Sequence, residues 1–126
     1  MKTTLINSVI LAEDYQGMID WYKMVFDLEV LIEISDDYNY TELGQEKRVV
    51  IGLTKASELK KKVNTKRDSY AIPQFYVGDM KLVMERATST GGSVIYGPEE
   101  DDGFLYGTIT DMEGNEIWII EEKGSE

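Results

Sequence analysis

One pattern occurs twice in this chain and restricts the fold more than any other property of the sequence. An apolar, β-branched stretch at residues 4–12 is halted by Glu13 and Asp14, an acidic pair of the kind that opens a helix. From there the large apolar residues fall at Tyr15, Met18, Ile19, Tyr22, Val25 and Phe26, which is the spacing of one buried helical stripe. Strands are expected at 28–34, 38–43 and 48–53, with turns at Asp36-Asp37 and Gly44-Gln45. The second half runs through the same order. A strand at 71–77 meets an acidic cap at Gly78-Asp79, 65 residues after Asp14, and a helical stripe follows at Leu82, Val83 and Ala87. Gly91-Gly92 supplies the φ-permissive helix stop, and strands at 93–96, 104–110 and 116–121 are separated by turns at Gly97-Pro98 and Glu113-Gly114-Asn115.

The expected fold class is therefore α+β, built from two βαβββ modules at about 1–54 and 71–122 with a linker at 55–70. At 126 residues the chain is too short for two independent cores, so 1–126 reads as a single domain. Each four-stranded unit buries one sheet face under its own helix and leaves the other uncovered. Two such faces turned toward one another would close a cleft, the place where a ligand site is expected.

Composition removes several function classes. With no Cys there are no disulfides, thiolate metal sites or cysteine nucleophiles, and with no His there is no imidazole base and no His-bearing metal site. Chemistry would fall to Asp, Glu, Tyr, Lys or backbone. A net charge of −11 argues against nucleic acid and against an anionic membrane surface. The basic run Lys60, Lys61, Lys62, Lys66 and Arg67 reads as a solvated connector. The N-terminus has the pattern of a strand rather than a signal peptide, and no apolar run reaches spanning length; a cytoplasmic location is expected.

Three segments resemble the glyoxalase, bleomycin-resistance and extradiol-dioxygenase superfamily, the vicinal-oxygen-chelate proteins. VILAEDYQGMIDWY at 9–22 is similar to the family's opening strand, acidic cap and helix with an aromatic-Tyr pair. FYVGDM at 75–80 is similar to the opening of its second module, and DMEGNEIWIIE at 111–121 to its Asp-x-x-Gly-Asn hairpin signature. Asp111, Gly114 and Asn115 are good turn residues in their own right, so a structural role is expected for them.

The resemblance implies metal ligands at positions that fall here on Asn7, Ile72 and Trp118, and the strand at 48–53 offers no carboxylate. Asn offers one oxygen, Ile and Trp none, so no metal and no other cofactor is expected. Glu121 has the wrong strand parity to substitute; Glu116 shares the face of Trp118 but gives only two oxygens together with Asn7. The member most similar in kind is the metal-free, drug-sequestering branch.

Parity places Asn7, Val9 and Leu11 on the inward face of the first strand, Ile72, Gln74 and Tyr76 on that of the fifth, and Glu116, Trp118 and Ile120 on that of the eighth. Tyr40 and Glu42 join them from the third strand and Tyr106 and Thr108 from the seventh. The expected ligand-binding residues are Asn7, Tyr40, Gln74, Tyr76, Tyr106, Glu116 and Trp118, with no catalytic residue assigned. Trp118 is either a stacking platform for a planar ligand or a packing aromatic of the core or of a dimer interface. Three functions stay open at this stage. The first is a metal-independent protein, for drug sequestration or sensing, that binds a small aromatic or amphipathic molecule, neutral or cationic. The second is an enzyme with a divergent metal or acid-base site, and the third a structural dimerisation module. Open sheet edges favour a homodimer.

Overall fold

The computed structural model describes residues 1–36, 38–57 and 71–124. The order is β1 (Ser8–Ala12), α1 (Tyr15–Phe26), β2 (Glu29–Ile34), β3 (Tyr40–Gln45), β4 (Arg48–Lys55), β5 (Gln74–Tyr76), α2 (Met80–Ser89), β6 (Ser93–Asp101), β7 (Phe104–Thr110) and β8 (Glu116–Glu122). These form two four-stranded sheets of matching topology, β1-β4-β3-β2 and β5-β8-β7-β6, so the two βαβββ modules are present. Within each, the first strand runs parallel to the fourth and the remaining neighbours are antiparallel.

The chain divides into two compact units, one of 1–23 with 27–67 and one of 24–26 with 68–126. In the first, α1 begins where the Asp14 carboxylate accepts the Gly17 N–H at 3.1 Å, satisfying one of the donors a helix start leaves unpaired. Its stripe buries Met18 and Tyr22 with Leu43, Ile51 and Leu53 of the sheet, all at 0% exposure. In the second, Asp79 repeats the cap on the Leu82 N–H at 3.1 Å, and Glu121 accepts the Met80 N–H at 2.6 Å. Met80, Val83, Met84 and Ala87 then cover Ile109, Ile117 and Ile119. Gly107 of β7 lets the helix come close, since a Cβ there would lie 2.5 Å from Met84 Cε. Phe26 meets Phe75 edge-on at 4.9 Å between ring centres.

Several expected boundaries move. The first strand starts at Ser8, not at residue 4, and leaves Asn7 just ahead of it; the fifth contracts to three residues following Pro73. The first module's second hairpin turns at Glu46-Lys47, which have φ of 50° and 65°, and not at Gly44-Gln45. Gly44 lies inside β3, where the Arg48 carbonyl and Leu31 leave no room for a side chain. Gly97-Pro98 is likewise no turn but part of β6. Pairing passes from Tyr96 with Thr108 to Glu99 with Tyr106, so the pair contributes one extra residue as a bulge. An edge strand tolerates the proline because its missing N–H takes nothing from the ladder. The linker residues 58–70, with the basic run, and Asp37 of the first expected turn lie outside the described residues.

Candidate functional site

Strand parity separates two chemically different faces in each unit. In the second, Ile109, Ile117 and Ile119 point under α2 at 0% exposure, while Gln74, Trp118, Thr108 and Tyr96 form one row across the opposite face. Tyr76, Ile120, Tyr106 and Glu99 form the next row. The face holds a hollow of about 640 Å³, on whose walls stand Trp118, Tyr106, Tyr96 and Gln74. Trp118 is 46% exposed, so in its own unit it is not a core residue.

The rim of this hollow is acidic: Glu99, Glu100 and Asp101 belong to it, and none of its lining residues is Lys or Arg. Lys123 pairs with Glu100 at 3.0 Å, an exposed contact of small energetic weight. Partial desolvation, then the negative field of Glu99 and Asp101, raises the Tyr96 phenol above its ordinary range. Tyr96 is therefore a neutral hydrogen-bond donor with a π face at physiological pH. Aromatic walls with an acidic rim attract a planar neutral or cationic molecule and repel an anion.

The first unit carries a different arrangement on the face away from α1. Asn7 Nδ2 donates to the Tyr40 hydroxyl at 3.1 Å, and that hydroxyl donates to Glu42 Oε2 at 2.6 Å. Gly52 makes the space: a Cβ there would lie 2.7 Å from Asn7 Nδ2 and 2.8 Å from the Tyr40 oxygen. Burial, and then the hydrogen bond to Glu42, push the Tyr40 phenol up. Tyr40 is thus held by its hydroxyl in a polar chain.

Of the residues expected from sequence to bind ligand, Gln74, Tyr106 and Trp118 come together in the hollow. Tyr76 shares their face at 77% exposure, and Glu116 lies on that face opposite Thr110, outside the hollow. Asn7 and Tyr40 belong to the first unit. Sequence reasoning missed Tyr96, Glu99 and Asp101, because the expected turn at Gly97-Pro98 ended their strand too early. The acidic run 99–102, which begins three residues after Tyr96, was the available signal.

The residues at the family's metal positions do not fit a metal. Asn7 offers a single amide oxygen, its Nδ2 being given to Tyr40, while Ile72 brings hydrocarbon and Trp118 an indole. Among the described residues, no group of three or more His, Cys, Asp or Glu could hold an ion.

Paired βαβββ units, each with one helix-covered and one open sheet face, define a glyoxalase-type α+β domain. A family model described as Glyoxalase/Bleomycin resistance protein/Dioxygenase superfamily matches residues 5–119, and the chain belongs to that superfamily. Among solved structures it is similar to a glyoxalase/bleomycin resistance protein/dioxygenase family enzyme from Burkholderia phytofirmans PsJN. The two share 18% identity at a TM-score of 0.73, over 93% of this chain and 97% of the other. It is also similar to a superfamily member from Sphaerobacter thermophilus DSM 20745, with 16% identity, a TM-score of 0.74 and coverage of 96% and 98%. A glyoxalase-related enzyme from Fulvimarina pelagi has 13% identity, a TM-score of 0.74 and coverage of 95% and 88%. Such identities establish the fold alone. A comparison with curated proteins gave no match.

Proposed function

We propose that this chain is a metal-independent small-molecule binding protein of the superfamily, serving drug sequestration or sensing, whose ligand is a planar aromatic or amphipathic molecule, neutral or cationic. The observation that carries this reading is the hollow on the open face of the second sheet, with Trp118, Tyr106 and Tyr96 on its walls and acidic residues on its rim. Its volume is in the range of small-ligand pockets, and an exposed indole beside two phenols is a stacking surface. The side-chain amide of Gln74 supplies a directional contact within the same row.

The competing enzymatic reading would need a metal or an acid-base pair. The ligand positions are unsuited to a metal, and the Tyr40–Glu42 pair donates inward to itself. A homodimer belongs to the proposal, since each sheet has two edge strands and carries exposed apolar residues such as Ile95 and Val9. A cytoplasmic setting also belongs to it; no helix among the described residues is long and apolar enough to cross a membrane. The test is a ligand screen read by Trp118 fluorescence. Saturable responses to planar neutral or cationic compounds support the proposal, and their absence across such a screen refutes it.

A further inference from the structure

Charge is unevenly spread around the hollow of the second sheet, and the bulge at Gly97-Pro98 is the reason. Tyr96 pairs with Thr108 and Glu99 with Tyr106, so three steps along β6 match two along β7. With strict pairing Glu99 would oppose Leu105 and lie on the side of the sheet that α2 covers; the extra residue turns it onto the open face. Glu100 takes the place opposite Leu105, and its Oε2 accepts from Lys123 Nζ at 3.0 Å. Among the described residues that line the hollow, none is a Lys or Arg that could do the same for Glu99. Its neighbours are Tyr106, directly across the ladder, and the Tyr96 phenol, which feels its field. Trp118 stands on the other side of Tyr106's strand and one row along. Strands lie about 4.8 Å apart and side chains on one face repeat every ~6.8 Å, so the Cα atoms of Trp118 and Glu99 are roughly 12 Å apart. A charge on the rim of a ring stacked over the indole falls short of Glu99, whereas a charge on a chain of several atoms reaches it over Tyr106.

We infer that Glu99 is a subsite for an ammonium group carried on a flexible chain, so that the ligand of the hollow is an aryl-alkylamine with its ring on Trp118 and its charge at Glu99. The inference rests on the binding reading above and narrows the ligand from planar neutral or cationic molecules to amphipathic amines. An ammonium suits the place because it brings three N–H donors and needs few fixed acceptors, while a metal ion would need more oxygens than one carboxylate provides. The Tyr106 ring beside Glu99 adds a face on which the cation can rest.

The experiment compares two ammonium probes with their neutral alcohol twins by calorimetry on the full chain. The short pair is 2-naphthylmethylammonium and 2-naphthylmethanol; the long pair is 4-(2-naphthyl)butylammonium and 4-(2-naphthyl)butanol. The long ammonium binds about fivefold tighter than its alcohol, the weight of one charge-assisted contact at an exposed carboxylate, and the short pair differs by less than about twofold. Glu99→Gln brings the long pair within about twofold. Glu85→Gln removes the same charge from the exposed side of α2 and retains the preference, which separates a contact from the field of the whole chain. Binding of the long alcohol with no preference for its ammonium overturns the subsite and leaves the binding reading standing. So does a preference that survives Glu99→Gln, that falls equally with Glu85→Gln, or that is the same at both chain lengths. Binding of none of the four probes overturns both.

Discussion

Asp111 is almost fully buried; its Oδ1 accepts the N–H groups of Glu113 and Asn115 at 2.9 and 3.0 Å, and its Oδ2 accepts Asn115 Nδ2 at 2.8 Å. Gly114, at φ 85°, completes the turn. This part of the family signature is thus a turn lock, the role its residue types already suggested in the sequence. Replacing Asp111 by Ala strands those donors and is expected to cost about 3 kcal/mol of stability in urea unfolding. Trp118→Ala should behave in the opposite way. The indole is 46% exposed, so unfolding stability falls by less than about 1 kcal/mol, whereas ligand affinity falls by about 1–3 kcal/mol. A large loss of stability with unchanged affinity would make it a packing residue. Tyr40 supplies a pH test. Its phenol is raised above 10.0 in the folded protein, by burial and then by Glu42, so its contribution to stability is complete below pH 10 and is lost as pH rises through the folded value. Alkaline destabilisation should therefore be weaker in Tyr40→Phe than in the parent, as read by melting temperatures from pH 9 to 11.

The elements were the most legible part of the sequence, and the reason is physical. Periodicity and acidic caps are local signals, and both caps are made by the aspartates the repeat singled out, with Asp14 and Asp79 accepting from the third residue beyond each. Asp79→Ala is expected to cost about 1 kcal/mol in thermal or urea unfolding, the usual value of a helix cap. What failed was the reading of glycine as a turn. Gly44 is in β3 because neighbouring atoms forbid a side chain, and Gly97 is in β6 within a bulge on an edge strand. Close approach and edge position are set by tertiary partners, which local sequence does not encode. The true hairpin turn at Glu46-Lys47 holds two positive φ values on residues that disfavour them. Replacing the pair by Asn-Gly should accordingly stabilise the protein by about 0.5–1 kcal/mol, and a loss of stability would contradict the turn assignment.

At the scale of the whole molecule, family membership and the doubled βαβββ order were readable because the same motif recurs at a fixed interval. The candidate site was readable only in part. Parity put Gln74, Tyr106 and Trp118 on one face, but the bulge that carries Tyr96 and Glu99 onto it was hidden by Gly97-Pro98. Asn7 and Tyr40 form with Glu42 a polar chain in the first unit. The edge strands of both sheets and the exposed apolar residues lead to the expectation of a dimer; light scattering at micromolar concentration should give twice the 14.4 kDa chain mass, and a monomer throughout would contradict it. The central claim is that the open face of the second sheet binds a planar molecule without an anionic group. Its most direct test is a fluorescence titration of Trp21→Phe, in which Trp118 is the sole indole, with a cationic, a neutral and an anionic derivative of one naphthalene core. Saturable changes in Trp118 emission are expected for the cationic and neutral compounds, with weaker binding of the anion. No saturable response to any of the three, or tightest binding of the anion, would contradict it.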